Sequence, residues 1–288
     1  MKVSEWKDTG QYFQFKDFPI FYREGGEGET LLLIHGFPTA SWDWHKLWHK
    51  LVQEYHLIAL DMLGFGFSAK PQKYSYSILE QADIIESLLS SKGISKVHIL
   101  SHDYGDTVAQ ELLSRFESKK NKSIEGISIH SICFLNGGLF PETHQPLLIQ
   151  RLLMSPLGAL IASFFTKEKL AQNLQKIFGY NTQPSQADIT AFWELITYNA
   201  GKKVFHLLIR YMKERIKYRK RWVGALQKTS CPMLLINGSM DPISGVHMAK
   251  RYRELIPDPK VESLATIGHF PLLEAPDEVL QVYQSFRR

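Results

Sequence analysis

Val97-His98-Ile99-Leu100-Ser101-His102-Asp103-Tyr104-Gly105-Asp106-Thr107 is the stretch on which the reading of this chain turns. Val97 to Leu100 is a short apolar strand pattern, and a helical pattern runs from Thr107 to Phe116. A strand, a sharp turn and a helix, with small residues two before and two after the apex of the turn, make a nucleophile elbow. The apex residue of an elbow is strained, so its neighbours at two residues' distance must be small. With Asp103 at the apex those neighbours are Ser101 and Gly105; with Ser101 at the apex they would be Ile99 and Asp103, and the turn would clash. A serine there makes an acyl-enzyme. A carboxylate attacks an sp³ carbon and makes an alkyl-enzyme ester. Taken alone, the turn also allows Asp103 as an ordinary polar turn residue.

Outward from this turn the chain alternates. Tyr12 to Phe15, Ile20 to Tyr22, Leu31 to Ile34, His56 to Leu60, Lys96 to Leu100 and Ile127 to Leu135 read as strands, and Asp43 to Gln53 and Ile78 to Ser90 as helices. The pattern predicts an α/β fold, a mostly parallel sheet flanked by helices. From Gly138 to Trp222 only helical patterns remain. Ile189, Phe192, Trp193 and Ile196 form a helical stripe behind Ser185 as N-cap with Asp188 three residues on, and Val204, Leu207, Leu208 and Tyr211 repeat the spacing. Alternation resumes with the strand Met233 to Ile236, the helix Val246 to Leu255, the strand Val261 to Ala265 and the helix Pro276 to Phe286. The expected organisation is a core in two parts, residues 1–137 and 223–288, with a helical lid, residues 138–222, inserted after the sixth core strand.

The 288 residues are 44% hydrophobic and 22% charged, an ordinary globular composition with length for one sizeable core. No segment approaches the ~20 apolar residues of a membrane span. No signal-peptide pattern is visible, so a cytoplasmic location is the expectation. Cys133 and Cys231 lie in apolar runs and read as packing residues. Net charge is +5, and Lys202 to Arg221 holds nine Lys or Arg against one acid, Glu214. Apolar residues interleave with these charges and no nucleic-acid motif adjoins them, so the strip reads as a solvated helix face. Gly64-Phe65-Gly66 lacks the third glycine of a dinucleotide loop and reads as a turn. His45 and His49 lack a third ligand for a metal.

Two stretches follow the elbow in a telling order. Asp241 lies just past the strand Met233 to Ile236, and His269, in Ile267-Gly268-His269-Phe270-Pro271, just past the last strand. Nucleophile, acid, histidine is the chain order of elbow hydrolases, and the carboxyl ends of a parallel sheet bring such loops together. Asp103 is the expected nucleophile, His269 the group that activates water, and Asp241 the group that orients the imidazole. His35-Gly36-Phe37-Pro38 follows the strand Leu31 to Ile34. The backbone N–H groups of Phe37 and Tyr104 are the expected oxyanion hole, and His35 reads as a structural hydrogen-bonder.

These residues resemble the α/β-hydrolase superfamily, in particular its Asp-nucleophile branch of epoxide hydrolases and haloalkane dehalogenases. They are most similar to the mesoderm-specific transcript protein family. The resemblance is carried by HGFPTASWDW (35–44), ALDMLGFGFSAKP (59–71), LSHDYGDTVAQELL (100–113), NGGLFPETHQPLL (136–148), KRWVGAL (220–226) and the Asp241 and His269 loops, and runs from about Leu31 to the C-terminus. It implies an α/β-hydrolase fold that opens an epoxide to a vicinal diol through an ester on Asp103. Dehalogenases of this branch grip halide with an Asn after the His-Gly turn and a Trp after the nucleophile; this chain has Phe37 and Tyr104 there. Epoxide hydrolases donate a hydrogen bond from lid tyrosines. Tyr211 is similar in context to one of these, with Tyr180 as the candidate companion. Trp42, Phe140, Trp193 and Phe205 are expected to supply apolar pocket wall, with Tyr180, Trp42 and Trp193 against the substrate. The alternatives are a haloalkane dehalogenase and, in another class, a non-catalytic or lipid-binding protein of this fold. The expected partners are a small hydrophobic substrate and water, with no cofactor, metal, nucleic acid or integral membrane segment; monomer and dimer both remain open. Vertebrate members of the family carry an N-terminal membrane segment, so their location is not carried over to this chain.

Overall fold

Leu31 to Ile34 are four consecutive apolar residues, and each has no exposed surface. That is the environment of a central parallel strand covered on both faces. The computed structural model describes residues 1–288. Its eight strands are β1 (Gln11–Phe15), β2 (Phe18–Gly25), β3 (Thr30–Ile34), β4 (His56–Leu60), β5 (Lys96–His102), β6 (Ser128–Leu135), β7 (Met233–Gly238) and β8 (Val261–Leu264). They form one sheet in the order β1-β2-β4-β3-β5-β6-β7-β8. β1 and β2 pair antiparallel, as do β2 and β4; every other pair is parallel. The strand order reverses at β3, which lies between β4 and β5. A crevice opens above such a reversal, at the carboxyl ends of the strands.

Four helices belong to the first half: α1 (Val3–Asp8), α2 (His45–Leu51), α3 (Ile78–Ser91) and α4 (Tyr104–Lys120). Ser77 caps α3, its Oγ accepting from Glu80 N–H at 3.1 Å. Between β6 and β7 the chain makes helices only: α5 (Leu148–Leu153), α6 (Gly158–Ser163), α7 (Lys167–Ile177), α8 (Gln186–Thr197), α9 (Phe205–Leu208), α10 (Tyr211–Lys217) and α11 (Arg219–Lys228), with short 3-10 turns. The chain ends with α12 (Val246–Leu255), α13 (Pro271–Glu274) and α14 (Pro276–Arg287). No helix is long and apolar enough to cross a membrane. Cys133 and Cys231 are buried and unbridged.

Three details differ from the sequence reading. The stripe from Val204 to Tyr211 is not one helix. Asn199 and Ala200 take positive φ of 48° and 58°, the segment Tyr198–Val204 is 3-10, and α9 stops at Leu208. Val204, Leu208 and Tyr211 are nevertheless all buried. The boundary at residue 222 falls inside α11, which is tied to the elbow helix. Glu111 of α4, almost fully buried, accepts from Arg221 at 2.8 and 2.9 Å and from Trp222 Nε1 at 2.7 Å. The basic strip is therefore no simple solvated face. Arg219 pairs with Glu142 at 2.9 Å, Lys202 donates to Phe165 O at 2.7 Å, and Arg215 is buried.

Candidate active site

Asp103 caps the junction of β5 and α4 with φ 48° and ψ −106°. Non-glycine residues rarely adopt positive φ, and a strained backbone held by its surroundings is a mark of functional turns. The need for small neighbours has a direct cause: a Cβ on Gly105 would sit 2.4 Å from Ile34 O. The carboxylate is buried. Its Oδ2 accepts from Phe37 N–H at 3.0 Å, and its Oδ1 lies 4.0 Å from His269 Nε2. Burial raises the Asp103 carboxyl above its ordinary range, opposed by the His269 charge, the Phe37 N–H, the Arg215 guanidinium and the Tyr104 N–H.

His269 Nδ1 bonds Asp241 Oδ2 at 2.7 Å. That same oxygen accepts from Ser244 Oγ at 2.7 Å and Asn136 Nδ2 at 3.0 Å, and Oδ1 from Ile243 N–H at 2.8 Å. Burial alone would raise the Asp241 carboxyl, but His269 and these donors hold it down to about 2. Burial likewise lowers His269, yet Asp241 and then Asp103 push it up to about 9. The loop bearing His269 is pinned from several sides. His102 Nε2 bonds His269 O at 2.8 Å, and His269 N–H donates to Ile177 O at 2.7 Å. One Glu274 oxygen accepts from Gly268 N–H at 2.9 Å, Gly179 N–H at 2.8 Å and Thr182 Oγ1 at 2.5 Å, and the other from Phe270 N–H at 2.9 Å.

A cavity of about 70 Å³ meets Asp103 and His269. Ten of its fifteen lining residues are hydrophobic, among them Phe37, Leu153, Phe165, Leu174 and Phe205. Such a lining suits an apolar ligand. No group of three or more His, Cys, Asp or Glu is placed to hold a metal ion.

The other expected residues distribute unevenly. Tyr211 is buried outside the lining of this cavity, its hydroxyl unpartnered and its ring 4.6 Å from that of Tyr104. Burial, then the Asp103 charge, raises its hydroxyl above the usual tyrosine range, opposed by the neighbouring Arg215 guanidinium. Tyr180 is 84% exposed and does not line the cavity. Trp42 stacks on His45 at 3.9 Å and meets Phe192 edge-on, and Phe140 packs against Tyr252. Trp193 lies beside Phe165 with Lys202 over its ring. None of these four touches the cavity; the wall comes instead from α5, α7 and the segments beside them. His35 is structural, bonding Gly36 O and accepting from Met62 N–H. The Gly64-Phe65-Gly66 turn wraps Asp61: a Cβ on Gly66, at φ 46°, would meet Asp61 Oδ2 at 2.1 Å.

Several residues escape the sequence reading. Asn136 opens the stretch NGGLFPETHQPLL and follows the end of β6, but nothing in that stretch marks it as a partner of Asp241, and Ser244 carries no motif of its own. Arg215 lies within the basic strip, and nothing in its spacing sets it apart. It donates to Gly138 O, its Nε has no partner, and no carboxylate pairs with it. Both ring nitrogens of His144 are buried without partners; burial, then Arg215, lowers this imidazole to about 2.

Residues 29–276 match the model of the alpha/beta hydrolase fold family. The mesoderm-specific transcript protein of Mus musculus is 43% identical, the alignment covering 99% of this chain and 87% of that one. Among solved structures, the epoxide hydrolase CorEH superposes with a TM-score of 0.79 at 18% identity, covering 96% of this chain and 98% of that one. The haloalkane dehalogenase DatA from Agrobacterium tumefaciens gives 0.80 at 18% identity, with 96% and 95% covered. These last two likenesses are of fold. An elbow at the sheet's centre, the strand order and the match over most of its length agree: the chain is a hydrolase-fold protein that belongs to the alpha/beta hydrolase family, among the relatives of the mesoderm-specific transcript protein.

Proposed function

We propose that this hydrolase opens epoxides to vicinal diols through an ester on Asp103, with residues 138–222 acting as the lid of the site. One observation carries the reading. The elbow apex is a carboxylate with one oxygen held by Phe37 N–H and the other facing the histidine of an Asp–His pair. Oδ1 attacks a ring carbon as the carbon–oxygen bond breaks, and the released oxygen takes the Tyr211 proton. Ester formation removes the Asp103 charge, one of the three anions, with Asp241 and Glu274, that hold the proton on His269. His269 then gives up its proton, replacing the one Tyr211 lost, and becomes a base. It deprotonates water, hydroxide adds at the Asp103 carboxyl carbon, and the oxyanion forms at the Phe37 and Tyr104 N–H groups. Collapse expels the diol alkoxide, which takes the carboxyl proton and leaves Asp103 ionised. The apolar cavity favours a small hydrophobic substrate.

Halide release fits less well. Phe37 offers only its backbone N–H, already on Asp103, and the Tyr104 ring packs between Phe65 and Tyr211. The test is the intermediate itself. His269→Gln should form the ester without breaking it, so the peptide containing Asp103 should gain the mass of the epoxide. With excess wild-type enzyme in ¹⁸O-water, the first diol should be unlabelled and the label should enter Asp103. Label in the first diol, with an unmodified Asp103 peptide in His269→Gln, refutes the ester.

A further inference from the structure

The helical segment between β6 and β7 carries a surface that the chemistry at Asp103 does not use. Leu148, Leu152, Leu160 and Phe164 are 72%, 41%, 55% and 65% exposed. All four line a groove of about 450 Å³ between α5, α6 and α7. Leu157, in the turn before α6, adds a further side chain at 62% exposure. Isolated exposed leucines are ordinary; a contiguous apolar patch marks a surface that something covers. The α7 side of the groove is basic, lined by Lys169 and Lys176. Across residues 147–178, Arg151, Lys167, Lys169 and Lys176 face only Glu168 as an acid. The groove shares Ile149, Phe165 and Asn173 with the cavity at Asp103, so the two meet wall to wall.

We propose that this surface docks on an anionic lipid bilayer, with the leucine and phenylalanine crest among the acyl chains and the lysines at the headgroups. Charge decides the occupant. A second copy seated on the same patch would set the basic residues of each chain against those of the other, whereas an anionic leaflet attracts them. An apolar crest beside lysines is also how peripheral helices hold an interface. Docked this way, the chain opens its cavity toward the hydrocarbon, and an apolar substrate reaches Asp103 directly from the lipid. That last step rests on the chemistry proposed at Asp103; docking does not.

Sedimentation of the full chain with vesicles tests docking apart from turnover. Vesicles of equal parts phosphatidylcholine and phosphatidylserine should carry the protein down, and pure phosphatidylcholine should carry far less. Leu148→Ser, Leu160→Ser and Phe164→Ser combined should lower partitioning about tenfold or more. Hydrolysis of a water-dissolved epoxide and the melting temperature should stay unchanged in that variant. Lys169→Gln with Lys176→Gln should weaken binding to the anionic vesicles alone. Three results overturn the proposal: no sedimentation with anionic vesicles, a triple variant that binds like the parent, or a dimer in sedimentation velocity that the triple variant dissolves.

Discussion

Replacing Tyr211 with phenylalanine should move stability and activity in opposite directions. The ring packs against Tyr104, and phenylalanine keeps that contact. The hydroxyl is buried and has no partner in the resting protein. An unsatisfied buried polar group costs ~1–3 kcal/mol, so its removal should leave stability unchanged or raise it by up to that amount. In the ring opening proposed above the same hydroxyl donates the proton to the leaving oxygen. Losing one such transition-state hydrogen bond costs ~2–4 kcal/mol, about thirty- to a thousandfold in rate. Urea unfolding and single-turnover epoxide opening measure the two quantities on one preparation. A variant that is less stable yet opens epoxide at the wild-type rate would mean that Tyr211 only packs, and the donor would have to be sought elsewhere.

The His269–Asp241 pair should make stability depend on pH in two windows. His269 is raised from 6.5 to about 9, so its contribution is complete below 6.5 and is lost as pH rises through 9. A displacement of that size is worth ~3 kcal/mol. Asp241 is lowered from 3.8 to about 2, so its contribution is complete above 3.8 and is lost as pH falls through 2. Urea midpoints measured across the upper window should fall in the wild type and fall less steeply in Asp241→Asn, where Asp103 and Glu274 still act on His269; equal slopes would contradict the pairing. Arg215→Met removes a buried cation that favours ionised Asp103. The acid limb of kcat/KM should therefore move to higher pH, and an unmoved limb would show that Arg215 does not act on Asp103.

The elbow is legible in sequence because its constraint falls on backbone: a Cβ on Gly105 would sit 2.4 Å from Ile34 O, and no choice of side chain can relieve that clash. Asp241 and His269 are legible because chain order and strand ends place them on one edge of the sheet. The cavity wall is not. Trp42, Trp193 and Phe205 have the same aromatic character, and only packing decides that Phe205 meets the cavity while the tryptophans turn to His45 and Phe165. Tyr180 and Tyr211 likewise differ by burial, which no spacing reports. Arg215 hides for a related reason. Eight other Lys or Arg surround it in its strip, and burial alone sets it apart.

Glu274 gives the helical segment a fulcrum. Its carboxylate grips the loop on either side of His269 and, at the same time, Gly179 and Thr182 past the end of α7. The two stretches are also in hard contact: a Cβ on Gly268 would lie 2.2 Å from Ile177 O and 2.6 Å from Gly179 N. The segment is tied at its other end as well, where Arg221 and Trp222 of α11 donate to Glu111 of α4, so the stretch after α7 cannot shift without breaking bonds to the His269 loop. The placing of the imidazole opposite Asp103 is thereby made a property of the seam between the sheet and the helical segment, not of the His269 loop alone.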